Sequence, residues 1–181
     1  FATFAEQGGL QPVGEYLTQS KLLNEDDFYP QVVDAFRFGG QLWCIPQNMS
    51  SLVVYYNQDL FDKAGLPYPA DDWTWADFLA TAQRLTLDVD GDGRPEQYGV
   101  GIEPTLNRLA PFIWQAGGEL VDNPENPTRL ALDSPEAQVG MQWFVALQTV
   151  HGVAPDALAQ SAESNESRFL NGTLAMYFNS R

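Results

Sequence analysis

The residues with the most chemistry in their spacing are Asp88, Asp90, Asp92 and Glu96, within Asp88-Val89-Asp90-Gly91-Asp92-Gly93-Arg94-Pro95-Glu96. Carboxylates at alternate positions, followed by a glycine that allows a sharp turn, make the oxygen donor set of a hard cation such as Ca2+. Arg94 would add its backbone carbonyl and Glu96 a direct or water-bridged carboxylate. The helix-loop-helix calcium loop also needs a bidentate Glu at its last ligand position. Counted from Asp88 that position is Gly99. The same acids on an exposed turn need only water around them. Two readings stand: a Ca2+ site of Asp88, Asp90, Asp92, Arg94 and Glu96, or a hydrated acidic turn. No other cofactor is called for.

Nucleophiles and bases are scarce. The chain has one cysteine, Cys44, and one histidine, His151. Those counts exclude an internal disulfide and any metal site built on two imidazoles. Cys44 follows Trp43 in an apolar run and reads as a buried, inert thiol. His151 precedes Gly152, where a cation suits the C-terminal end of a helix; it does not read as a catalytic base. The sequence holds no G-x-S-x-G, H-E-x-x-H, G-x-x-x-x-G-K-[ST] or G-x-G-x-x-G. Carboxylate pairs of a glycosidase are available in number, yet nothing singles out one pair.

Flat rings are the other resource, because apolar sugar faces stack on them while Asn, Gln, Asp and Arg bond the hydroxyls. Trp75 and Trp143 share helix faces with other apolar residues and read as core. Trp114, just before Gly117-Gly118, suits the core or a ligand wall equally well.

The charge narrows the partners. Asp and Glu number 24 against 9 Lys and Arg, a net charge of −15 over 181 residues. So acidic a surface repels nucleic acid and anionic membrane. An apolar content of 44% excludes disorder as the main state. No apolar run approaches the length of a membrane-spanning helix, so direct insertion is not expected. Phe1 is not an initiator Met, no signal peptide pattern is present, and a strand pattern runs almost to Arg181. These ends suggest a piece of a longer protein.

Helical and extended patterns alternate along the chain, which predicts an α/β fold. Helices are expected near 1–5, over 26–36, from Asn57 to Gly65, and after a Thr74/Asp77 cap. Others are expected over Leu106–Trp114 with Pro111 in the first turn, after Ser134-Pro135-Glu136, and over Glu166–Leu170. Strands are expected at 41–45, 51–56 (buried), 98–102, 130–132 and 174–178.

The order of these pieces resembles the family 1 extracellular solute-binding proteins of ABC importers, the maltose-binding-protein-like group. Gly39-Gly40-Gln41-Leu42-Trp43-Cys44-Ile45-Pro46 is similar to the family's G-G strand ending in Pro. Leu52-Val53-Val54-Tyr55-Tyr56-Asn57-Gln58-Asp59-Leu60-Phe61 is similar to its L-x-Y-N-x-D-L-F segment. Trp73-Thr74-Trp75-Ala76-Asp77-Phe78, Gln115-Ala116-Gly117-Gly118, Leu132-Asp133-Ser134-Pro135-Glu136-Ala137 and Phe169 to Met176 follow in order.

The resemblance implies a periplasmic-binding-protein-like fold of class II, two α/β lobes hinged around a cleft, of which this chain is mostly the second lobe. Residues 1–52 would end a first-lobe segment and 53–57 form a hinge crossing strand. Residues 58–174 would form the second lobe, and 175–181 return toward the hinge. The implied function is capture of a carbohydrate or polyol in the interlobe cleft and delivery to a membrane permease, without catalysis. The implied location is periplasmic or extracellular, with lipid anchoring of the whole protein open. Ligand contacts would come from Gln47, Asn48 and Ser50, from Asn107 and Arg108, and from Asn179, with Trp114 as a candidate ring. Asn107 and Arg108 stand where maltose-binding protein carries aromatics, which points away from maltodextrin. Arg108 suits hydroxyls, or an anion through a bidentate fork. A fragment of a secreted carbohydrate-active enzyme and the lobe of a sensor ectodomain are the alternatives.

Overall fold

The computed structural model describes residues 1–124 and 127–180; Arg181, the last residue of the expected returning segment, lies outside them. The chain divides into two compact units, Phe1–Ser51 and Leu52–Arg181.

The first unit is built from short pieces. Helices α1 (Ala2–Glu6) and α2 (Gly14–Gln19), a 3-10 turn at Glu25–Asp27 and helix α3 (Pro30–Asp34) precede two short strands, β1 (Arg37–Phe38) and β2 (Gln41–Leu42). The single helix expected over 26–36 is broken, because Phe28 and Tyr29 are extended. Pro30 explains the break: its ring bars the preceding residue from helical geometry. The β1–β2 hairpin turns through Gly39 and Gly40 at φ +57° and +76°, a pair of left-handed positions that glycine occupies without a Cβ clash. Leu17, Val33 and Leu42 form a small core with Val13, Phe28 and Phe36 against it. Cys44 is half-buried, less enclosed than its apolar setting predicts.

The second unit has a three-stranded sheet and helices packed on it. Its elements are β3 (Leu52–Tyr56), α4 (Gln58–Ala64), α5 (Trp75–Leu85), β4 (Tyr98–Gly101), α6 (Leu106–Gln115), α7 (Pro135–Thr149), α8 (Ala157–Ala162), α9 (Asn165–Leu170) and β5 (Leu174–Ser180). The strand order is β3-β5-β4. Central β5 pairs antiparallel with β3, placing Tyr55 opposite Tyr177 and Leu52 opposite Ser180. It pairs parallel with β4, placing Gly101 opposite Tyr177. The predicted caps form: Thr74 and Ser134 each accept a backbone N–H of their helix, and Thr74 closes a full capping box with Asp77; Asn57 caps α4 in the same way.

Several expectations are corrected. The 51–56 run is an edge strand and not a buried one: Val54 and Tyr55, which point to opposite faces, are both exposed. Residues 130–132 form no strand, only a bridge from Leu130 to Val121. Pro111 lies in mid-helix, not in the first turn. Helix α8 went unforeseen, because Ala157–Ala162 contains no buried residue to mark a stripe.

The main core gathers Phe61, Phe78, Ala82, Leu85, Val100, Phe112, Phe144, Leu147, Met176 and Phe178. A second cluster joins Tyr98, Leu174 and Tyr177 to Ala159 and Phe169. Helices α6 and α7 meet at Gly140, where an added Cβ would stand 2.5 Å from the Phe112 carbonyl oxygen and 2.7 Å from the Ile113 Cα. Backbone cannot yield as a side chain does, so the helices must part. Gly140→Ala is expected to cost about 1–3 kcal/mol through overpacking, read as a lowered Tm by calorimetry; an unchanged Tm would contradict this packing.

Candidate functional site

In open α/β sheets, ligands gather outside the C-terminal ends of parallel strands. Here that edge holds the ends of β4 and β5 and the start of β3. From β4 the chain runs through Ile102, Glu103 and Pro104 to Thr105, which begins α6. The Thr105 N–H donates to the Glu103 carbonyl at 2.7 Å, tightening the turn.

Arg108 and Asn179 meet at this edge. The Arg108 Nη2 donates to the Asn179 Oδ1 at 2.8 Å. The Arg108 Nε lies 3.8 Å from the Glu103 carboxylate, with side-chain exposures of 14% and 42%. That Nε is buried and makes no hydrogen bond among the described residues. The result is a guanidinium held between a carboxamide and a carboxylate, with local charges close to balance. Beside it, burial first and then the Glu103 and Glu166 carboxylates push the Tyr177 phenol above its ordinary pKa, so it stays a neutral hydroxyl at physiological pH. Sequence reading missed Glu103; a charged residue directly after the buried run Tyr98–Ile102 was the available signal.

The other expected contacts are placed differently. Asn107 is exposed on the first turn of α6, next to Arg108. Trp114 is 53% exposed, but six residues along an α-helix carry it about 9 Å from Arg108 along the axis, so the helix does not bring the two together. Gln47, Asn48 and Ser50 are exposed in the first unit. Gln47 and Asn48 line a cleft of about 590 Å³ there, with Asp26, Asp27, Phe28 and Tyr29; Ser50 does not line it.

A second cleft, of about 280 Å³, lies within the second unit and is walled by Trp73, Trp75, Phe112, Gln115, Trp143 and Phe178. Trp75 and Trp143 lie ring against ring, with centroids 4.7 Å apart; both pack on the main core as expected, and their half-buried faces wall the cleft. The Trp75 Nε1 donates to the Gln115 Oε1 at 2.6 Å, which satisfies the indole as it leaves the core.

The carboxylates of Asp88, Asp90, Asp92 and Glu96 come within 4.8 Å of one another, and all four residues are exposed. Backbone amides already serve them. Asp88 accepts from Gly91 and Gly93, Asp90 from Asp92, Asp92 from Arg94, and Glu96 from Val89. The contribution of Arg94 seen here is therefore its N–H to Asp92. The loop is closed at its base by the Leu87–Gln97 bridge and precedes β4, away from the edge that carries Arg108.

Residues 1–181 match the profile of the bacterial extracellular solute-binding proteins. The chain belongs to that family. An ABC substrate-binding protein from Listeria monocytogenes, solved with cycloalternan, superposes with a TM-score of 0.87 at 31% identity, over 99% of this chain and 44% of that one. A mannitol-binding protein of Pseudomonas aeruginosa is 32% identical over 99 residues, 55% of this chain and 21% of its own length. An sn-glycerol-3-phosphate-binding periplasmic protein of Agrobacterium fabrum is 30% identical over 80 residues, 43% of this chain and 18% of its own. The chain thus spans less than half the length of these relatives, and it has the periplasmic-binding-protein-like α/β fold of the solved one.

The Arg108–Asn179 bond joins α6 to β5 in a partly buried setting. Arg108→Lys keeps the charge but loses the planar fork. One lost hydrogen bond, about 1 kcal/mol, is expected to lower Tm by roughly 2–4 °C in thermal unfolding. A Tm equal to that of the parent would mean the bond contributes nothing.

Proposed function

We propose that this chain is part of the solute-binding component of an ABC importer, and that its ligand is a neutral carbohydrate or polyol. The observation that carries the ligand class is the balanced Arg108–Asn179–Glu103 cluster at the C-terminal edge of β4 and β5. A phosphate is best held by unopposed guanidinium or ammonium groups. Here a carboxylate stands beside the only Arg of α6, and the chain as a whole carries −15. Hydroxyl groups, which donate to carboxylates and accept from guanidinium N–H, fit such an edge better. The cycloalternan of the Listeria relative and the mannitol of the Pseudomonas relative accord with this.

Gln47, Asn48, Ser50, Asn107, Arg108 and Asn179 are the proposed contact residues, with Trp114 the weakest by position. The proposed boundaries place a first-lobe segment over 1–52, a hinge strand over 53–57, the second lobe over 58–174 and the returning strand over 175–181. The proposed action is binding without turnover, with the ligand favouring the closed form over the open one and the closed form docking on the permease. The family is extracellular in bacteria. A periplasmic or lipid-anchored setting for the whole protein is part of the proposal. Among the described residues, no helix is long and apolar enough to cross a membrane.

A thermal-shift screen of the full-length protein against neutral sugars, polyols and phosphorylated polyols tests the reading. A ligand at a hundredfold excess over Kd adds about 2.7 kcal/mol, so a neutral sugar or polyol is expected to raise Tm clearly while its phosphorylated analogue does not. A shift confined to phosphorylated compounds would overturn the ligand class. Chemical conversion of the added sugar would overturn the non-catalytic reading.

The acidic loop is carried as a separate proposal of Ca2+ binding, supported by its gathered carboxylates. Titration with CaCl2 against a MgCl2 control is expected to raise Tm selectively, and Asp88→Asn to abolish the rise. Equal responses to both salts would leave a hydrated turn.

A further inference from the structure

Beneath the edge that carries Arg108 lies a set of side-chain amides that the proposed ligand contacts do not include. The carbonyl of Ile102 is the first beyond strand β4, and Ile102 itself is buried. Two carboxamides from different helices converge on that one oxygen. Asn165, at the start of α9, donates from Nδ2 at 3.0 Å. Gln160, on α8, donates from Nε2 at 3.0 Å and also reaches the Pro155 carbonyl at 3.1 Å. The Pro155 carbonyl in turn accepts from Gln148 of α7.

Asn165 is only 4% exposed, the one buried polar residue among those described. Its Oδ1 is buried with no hydrogen-bond partner among them. An unpaired buried acceptor is destabilising, and a leucine of similar size would avoid the penalty. The backbone has also made room for this side chain, since a Cβ on Gly101 would stand 2.8 Å from the Asn165 Cγ. What Asn165 supplies in return is the Nδ2–Ile102 bond, directly before the Glu103–Thr105 turn that leads to Arg108.

We propose that Asn165 and Gln160 are positioning residues: by holding the Ile102 carbonyl from two sides they fix the turn that carries Glu103 and Arg108 to the ligand edge. They touch no ligand themselves. Fixing the turn lowers the ordering cost at binding, which is how preorganisation raises affinity. The ligand consequence rests on the function proposed above, whereas the fixing of the turn does not.

The test uses Asn165→Asp and Gln160→Glu, which keep the shape but replace the donating amide by an acceptor. Leu85→Val, in the core at the far end of α5, serves as a control for lost stability alone. Hydrogen exchange of the full-length protein, without ligand, is expected to show the Thr105–Leu109 amides exchanging roughly fivefold faster in both amide variants, about the worth of one hydrogen bond. The same amides in Leu85→Val are expected to keep their rate. Unchanged exchange in the amide variants, or equal acceleration in the control, overturns the proposal.

Titration with whichever neutral sugar or polyol shifts the parent protein in the screen is expected to give a Kd raised roughly three- to tenfold in the amide variants only. Faster exchange with an unchanged Kd would overturn the link to ligand. A parent protein that binds none of the screened compounds sinks the functional reading instead, and exchange alone then decides whether the turn is held.

Discussion

Strand β5 is buried over Leu174–Phe178, and a buried strand must pair its backbone groups within the protein. The second unit answers with neighbours of opposite sense, β3 running against it and β4 alongside it. That arrangement fixes much else. A parallel neighbour requires a crossover, which the helices after β4 provide. Those helices place the N-terminal end of α6 at the same edge as the last residues of β5. Asn179 and Arg108 can meet because one sits where β5 emerges from the core and the other where α6 begins.

The character of that edge follows from what surrounds it. The core beneath is apolar and aromatic, while the edge carries a carboxamide, a guanidinium, a carboxylate and a neutral phenol. Such a mixture can give and take hydrogen bonds without presenting a strong field of either sign. This balance is the ground for the polar, uncharged ligand class proposed above. The aromatic cleft of Trp75, Trp143 and Phe112 stands in the same unit, with the Trp75 indole N–H already satisfied by Gln115.

Much of this was legible from residue order. The Thr74/Asp77 and Ser134-Pro135-Glu136 starts are local chemistry, set by side chains within a few residues of the backbone they cap, and they form as read. The pairing of the SLVVYY and LAMYF runs, with Tyr55 opposite Tyr177, joins segments from opposite ends of the second unit. What local pattern could not reveal was position within the sheet. Val54 and Tyr55 have the composition of a buried strand, yet edge placement is a property of the whole fold. The role of Pro30 in splitting one helix into two was visible in principle, since the restriction acts on its immediate neighbour Tyr29. Arg108 was marked from the sequence. Asn179 was marked as well, but its bond to Arg108 and the contacts of Asn165 reach across long sequence separations, which periodicity does not encode; Glu103 is a near neighbour of Arg108 in the chain and was simply not singled out.

The antiparallel ladder of β3 with β5 also constrains how the chain acquires its structure. Leu52 and Ser180 come from opposite ends of the second unit, so closing them sacrifices the entropy of nearly the whole intervening loop. Such remote pairing places this unit among the slower-folding topologies. Until β5 has been synthesised and docked, β3 remains an unpaired, β-branched ribbon open to adhesion with other chains. The nascent polypeptide therefore passes through a sticky interval that ends only when β5 is in place.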